Sequence, residues 1–218
     1  MTQPLPLGFL ALPPVGKGPG VLVLHAWWGL NDTIKAVCTR LAEAGFVAFA
    51  PDLYHGQVAD TIAGAEILGA AIDANYQQAS SDVAEAASFL SEKTGGQLAV
   101  VAFSLGGFFA LTLAAAQPET IRSVVLFYAT DGGFGGSYST SKADYLGHFA
   151  ENDQYEPLSN VDQLEETLKL AGRPVTFHRY SNTEHWFFEP DRPQAYNQAA
   201  ASLAWERTLE FLKRPSSQ

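Results

Sequence analysis

The sequence predicts an α/β protein with a doubly wound, mostly parallel sheet flanked by helices. Three observations predict it. Short continuous apolar runs rich in β-branched residues, as strands buried on both faces require, alternate along the chain with segments of helical spacing. One of those runs, residues 98–103, stops at a single serine and passes through Leu105, Gly106 and Gly107 into a helical pattern, so a strand, a sharp turn and a helix meet at Ser104. Finally, 218 residues with 47% hydrophobic content fit one large domain, 1–218, with a substantial core better than they fit two.

The elements follow in order. Residues 20–25 (GVLVLH) read as a buried strand. A helix follows from Asn31 and Asp32, with Asp32 as its cap, Ile34, Val37, Cys38 and Leu41 on one face and Gly45 closing it. Residues 46–50 form a second strand, stopped by Pro51. Helical spacing fills 61–72 and 77–93, a strand occupies 98–103, and a helix runs over 105–116 to Pro118. Strands at 123–128, 145–150 and 175–180 then alternate with helices at 158–171 and 195–213. The Gly- and Ser-rich segment 132–141 reads as a loop, not a domain boundary.

Composition narrows the partners. The chain has 13 Lys plus Arg against 23 Asp plus Glu, a formal charge of -10, which leaves no footprint for phosphate backbones or anionic membranes. The amino terminus has neither a basic flank nor a long apolar stretch, and no run approaches a membrane span, so a cytoplasmic protein is expected. Cys38 is the single cysteine, which excludes an internal disulfide and any multi-cysteine metal site. It sits on the apolar face of its helix as core packing. No metal and no cofactor is expected.

Packing alone does not call for a serine between Phe103 and Leu105. A nucleophile elbow does, because the tight turn lifts the side chain clear of the sheet. The elbow pattern is G-x-S-x-G and this chain reads A-F-S-L-G over 102–106, with a small residue kept at the first position. The competing reading is a serine that merely caps the following helix. A serine nucleophile needs an imidazole to take its proton and a carboxylate to hold that imidazole in one tautomer, and in α/β-hydrolases the order is Ser, acid, His. Asp153 lies just past one predicted strand and His185 just past the next. His148 and His178 fall inside strands, and His25 and His55 precede the serine. For the acid, Asp131 also follows a strand, and Glu151 is close by, so both compete with Asp153. The charge that develops on an attacked carbonyl oxygen calls for two N–H donors. Leu105, at the start of its helix, and Trp27, in the loop after the first strand, are the candidates. Trp28 and Trp186 are the candidates for substrate contact, with core packing the alternative for paired tryptophans.

The strings HAWWGLN (25–31), APDLY (50–54), SLGG (104–107), Asp153 with Pro157, and HWF (185–187) together resemble the dienelactone hydrolase family over roughly residues 18–212. The resemblance implies a capless α/β-hydrolase fold, a triad of Ser104, Asp153 and His185, and an oxyanion hole from the Trp27 and Leu105 amides. It also marks three departures. The family's familiar members carry a cysteine at the position of Ser104, a glutamate at that of Ala26, and arginines that hold a dicarboxylate-like lactone. This chain has no arginine between Arg40 and Arg122, and Glu189 stands four residues after His185. The expected activity is cleavage of a small carboxylic ester or lactone through an acyl-enzyme, by a monomer or small homo-oligomer. Thioester, acetyl or small-peptide hydrolysis by the same groups is the alternative, as is a non-catalytic binding protein on the same fold.

Overall fold

A computed structural model describes residues 5–132 and 136–214. Seven strands, β1 (Gly8–Ala11), β2 (Gly20–Leu24), β3 (Val47–Pro51), β4 (Leu98–Phe103), β5 (Ile121–Phe127), β6 (Asp144–Ala150) and β7 (Val175–Tyr180), form one sheet in the order β1-β3-β2-β4-β5-β6-β7. β2 to β7 are mutually parallel, and β1 adds to β3 antiparallel. Six helices flank it: α1 (Asp32–Glu43), α2 (Ile62–Ala74), α3 (Tyr76–Thr94), α4 (Leu105–Ala116), α5 (Leu158–Leu170) and α6 (Gln198–Lys213).

The continuous apolar runs are explained by burial on both faces. Alternate residues of one strand enter different layers: Leu22, Val100 and Val124 pack beneath α3, α4 and α5 through Val83, Phe109 and Val161. Their neighbours Val21, Val101 and Val125 pack beneath α1 and α6 through Ile34, Leu41 and Ala204. Among the described residues no helix is long and apolar enough to cross a membrane.

Four readings need correction. β1 was not foreseen, because four half-buried edge residues near several prolines carry no alternation to detect. The cap of α1 is Asn31, whose Oδ1 accepts from the Ile34 amide at 3.1 Å; Asp32 is the first helical residue, where its charge meets the positive end of the helix. β5 begins at Ile121 and ends at Phe127, since Tyr128 turns out of the strand at φ 39°. The last helix starts at Gln198, capped by Asn197, three residues after the expected start. Of the segment expected as a loop, 133–135 lie outside the described residues, as do 1–4, and the rest of 132–141 is neither strand nor helix.

The strand order places a crevice. From β2 the chain goes to β3 on one side and then returns past β2 to β4 on the other, so the switch in direction falls between β2 and β4. In parallel α/β sheets ligands bind at the carboxyl ends of the strands at such a point. Ser104 follows β4 there, and the loop from His25 to Gly29 follows β2. The first turn of α4 comes so close to β2 that a Cβ on Gly106 would lie 2.7 Å from the Leu24 carbonyl oxygen and 2.8 Å from that of His25. Gly106→Ala should therefore lower stability by about 1–3 kcal/mol in thermal or denaturant unfolding, because the obstructing atoms are backbone. An unchanged midpoint would contradict this contact.

Candidate active site

Ser104 occupies the turn between β4 and α4 at φ 45° and ψ −117°. A non-glycine residue at positive φ costs on the order of 1–3 kcal/mol and persists only where its surroundings fix it. Here the Ser104 amide donates to the Phe127 carbonyl at 3.0 Å, while Gly106 and Gly107 admit the helix against β2 and Ala129. The side chain makes no capping hydrogen bond to α4. Instead Oγ lies 2.9 Å from His185 Nε2.

His185 sits in the loop after β7 and is almost fully buried. Its Nδ1 donates to Asp153 Oδ2 at 2.7 Å, which fixes the proton on Nδ1 and leaves Nε2 to accept from the serine hydroxyl. Asp153, in the turn after β6, is held in turn by the Tyr155 and Glu156 amides, both donating to Oδ1 at 2.9 Å. The two loops are tied together by the Asn152 amide on the Thr183 carbonyl (3.0 Å) and by the Asn182 amide on Glu151 (2.9 Å). Glu151 is thus a clamp between loops. The imidazole is boxed by the rings of Tyr128, Tyr155 and Trp186, at centroid distances of 4.8, 5.1 and 5.1 Å.

The competing residues have other partners. Asp131 accepts from the Tyr138 hydroxyl and the Gly136 amide, each at 2.9 Å. His25 is buried and spans from the Ala26 carbonyl to the Leu53 amide, and burial lowers its pKa, so it serves as a neutral brace for the loop after β2. His148 is likewise buried between the Tyr180 and Thr208 hydroxyls, its pKa pushed well down by burial. His55 is exposed beside Asp82, and His178 stacks on His148.

A cavity of about 460 Å³ opens over Ser104. Trp27, Leu105 and Trp186 line it, but Trp28 does not. The Trp28 indole is buried, 5.1 Å from the Trp186 ring and capped by the Arg192 guanidinium at 3.6 Å, and its free edge belongs to a neighbouring cavity. Of the two adjacent tryptophans, Trp27 lines the cavity, its ring packing edge-on against Tyr155 at 5.7 Å, and Trp28 does not, against the expected substrate contact. Sequence reasoning also missed Phe108 and Phe109, which the helical period places one turn beyond Ser104, and Glu156, three residues after Asp153. Burial pushes the Glu156 carboxyl up to about 7, with Asp153 and Asp131 adding to the rise and its hydrogen bond from Thr130 (2.6 Å) opposing it.

A second buried carboxyl is held by Tyr128, whose ring packs on the imidazole. Glu189 is fully buried and accepts from the Tyr128 hydroxyl at 2.7 Å, while its Oε2 has no partner. Burial pushes it up to about 8, Tyr128 and Arg192 pulling the other way, so the group is mainly neutral at pH 7. Among the described residues no group of three His, Cys, Asp or Glu side chains is placed to hold a metal ion.

Comparison with known proteins places the chain in a family. The profile of the dienelactone hydrolase family matches residues 7–216. The chain belongs to the dienelactone hydrolase family. Among its relatives, "Protein usf" of Aquifex pyrophilus is 32% identical, covering 94% of this chain and 92% of its own. The "Carboxymethylenebutenolidase" of Rhodococcus opacus is 30% identical, covering 98% and 87%. A solved "Dienelactone Hydrolase-like" promiscuous phosphotriesterase from metagenomic libraries superposes with a TM-score of 0.79 at 22% identity, over 94% of this chain and 90% of that one. The fold is that of the α/β-hydrolases.

Glu189 makes a pH prediction for this family member. Its pKa is raised from the ordinary 4.5 to about 8 in the folded protein. The unfolded chain therefore ionises first, and stability present below about pH 4.5 is lost progressively as pH rises towards 8. Glu189→Gln removes that term. Its unfolding free energy relative to the unsubstituted protein should improve by on the order of 3 kcal/mol between pH 5 and pH 8, measured by denaturant unfolding at both. A difference independent of pH would show that Glu189 ionises normally.

Proposed function

We propose that this member of the dienelactone hydrolase family cleaves carboxylic esters or lactones through an acyl-enzyme formed on Ser104. The observation that carries the reading is the continuous Ser104–His185–Asp153 hydrogen-bond chain, 2.9 Å and 2.7 Å, at the floor of a cavity large enough for a small ester. The carboxymethylenebutenolidase name of the Rhodococcus relative supports the same class of bond.

In this reading the Ser104 hydroxyl oxygen bonds to the substrate carbonyl carbon as its proton passes to His185 Nε2. Asp153 stabilises the resulting imidazolium and keeps it aimed. The negative charge gathers on the former carbonyl oxygen, where the Leu105 amide, an unshared donor at the positive end of α4, and the Trp27 amide meet it. His185 then returns the proton to the departing alkoxide oxygen as the carbon–oxygen bond breaks. For a lactone, that alcohol stays attached to the acyl chain. Water repeats the sequence from the other side: it loses a proton to His185, attacks the acyl carbon, and releases the acid as Ser104 recovers its proton.

Turnover of a small activated ester tests the assignment. Ser104→Ala should lower kcat/KM by at least about 10³-fold, and Asp153→Asn by about 10³–10⁴-fold, with unfolding midpoints near that of the unsubstituted protein. Retention of full turnover by a folded Ser104→Ala protein would refute the nucleophile.

A further inference from the structure

The cavity over Ser104 has an uneven charge. Three carboxylates line it, each from a different part of the fold: Asp73 near the end of α2, Asp131 after β5, and Glu156 after β6. No Lys or Arg is among its described lining residues. The aromatic side chains of Trp27, Tyr76, Phe108, Tyr155 and Trp186 line the same cavity. Glu156 is pinned in place by the Thr130 hydroxyl at 2.6 Å, and its own amide anchors Asp153, so the carboxyl sits at a fixed distance from the proposed reacting groups.

Such a wall discriminates by charge. An acyl chain ending in a carboxylate would be brought, partly dehydrated, beside groups of its own sign. An ammonium group would meet carboxylates and the negative faces of aromatic rings together, the combination that recognises quaternary ammonium ligands. The overall charge of -10 adds an attraction of the same sign at longer range.

We propose that the Ser104 cavity selects esters or lactones bearing an ammonium group on the part that fills it, over neutral and carboxylate-bearing ones, with Glu156 as the residue that sets this choice. The substrate class rests on the reading of Ser104 as the nucleophile, but the charge preference is a property of binding and is tested without turnover.

Hexyltrimethylammonium, hexanol and hexanoate are titrated against the intrinsic tryptophan fluorescence of the full chain, since Trp27 and Trp186 face the cavity. The measurement is made at about pH 8.5, above the value of about 7 to which the Glu156 carboxyl is raised. The ammonium probe should bind at least about tenfold more tightly than hexanol, with hexanoate weakest. Glu156→Gln should shrink the ammonium-to-hexanoate ratio by about tenfold, and Asp73→Asn, at an exposed helix position where folding is not at risk, should shrink it as well. Equal binding of the three probes, tightest binding of hexanol or hexanoate, or a ratio unchanged in folded Glu156→Gln would overturn the proposal. The Ser104→Ala turnover assay separates the two readings. A protein that hydrolyses esters without charge preference loses only the ammonium assignment. One that prefers the ammonium probe yet owes no turnover to Ser104 loses the reaction and keeps the binding.

Discussion

The first turn of α4 rests on the ends of β2 and β5 at a distance that leaves no room for side chains. A Cβ on Gly106 would meet the backbone of Leu24 and His25, and one on Gly107 would lie 2.3 Å from the Cβ of Ala129. That close approach holds Ser104 at positive φ, a conformation unfavourable by itself, and the two apolar layers on the sheet supply the packing that offsets it. Everything in the site is referenced to this contact. It aims the hydroxyl into the crevice at the topological switch point and puts the amino end of α4 beside the loop after β2, where the proposed oxyanion donors lie.

The opposite side of the crevice is built by loops, and these carry three carboxyl groups with different surroundings. Asp153 accepts three, from His185, Tyr155 and Glu156. Glu189 accepts from Tyr128 and Glu156 from Thr130, and burial, the largest influence on each, pushes both up. Tyr128 couples the layers: its ring packs on the His185 imidazole, its hydroxyl holds Glu189, and its amide donates to the His148 carbonyl at 2.7 Å. The imidazole is thereby confined by a carboxylate on one edge and aromatic rings around it, so it has little freedom to leave the serine.

The parallel strands and their helices were legible because residues buried on both faces of a sheet must be apolar without interruption, and that pattern is local. The Ser104 turn was legible for a related reason: a polar residue between an apolar strand and Gly106–Gly107 has few packing explanations. β1 was invisible because an edge strand of four half-buried residues imposes no pattern. Which of Trp27 and Trp28 faces the cavity could not be read, since the loop between β2 and α1 has no periodicity and the answer depends on Arg192 and Trp186, far along the chain. The burial of Glu156 and Glu189 was hidden likewise, arising only when the loops after β5, β6 and β7 pack together.

Labelling with a fluorophosphonate probe asks whether Ser104 is a nucleophile activated by His185. A single covalent adduct is expected, mapped to Ser104 by peptide mass, with its rate of formation reduced at least about 100-fold in His185→Ala. An adduct at another residue, no adduct on the folded protein, or a labelling rate indifferent to His185 would contradict it.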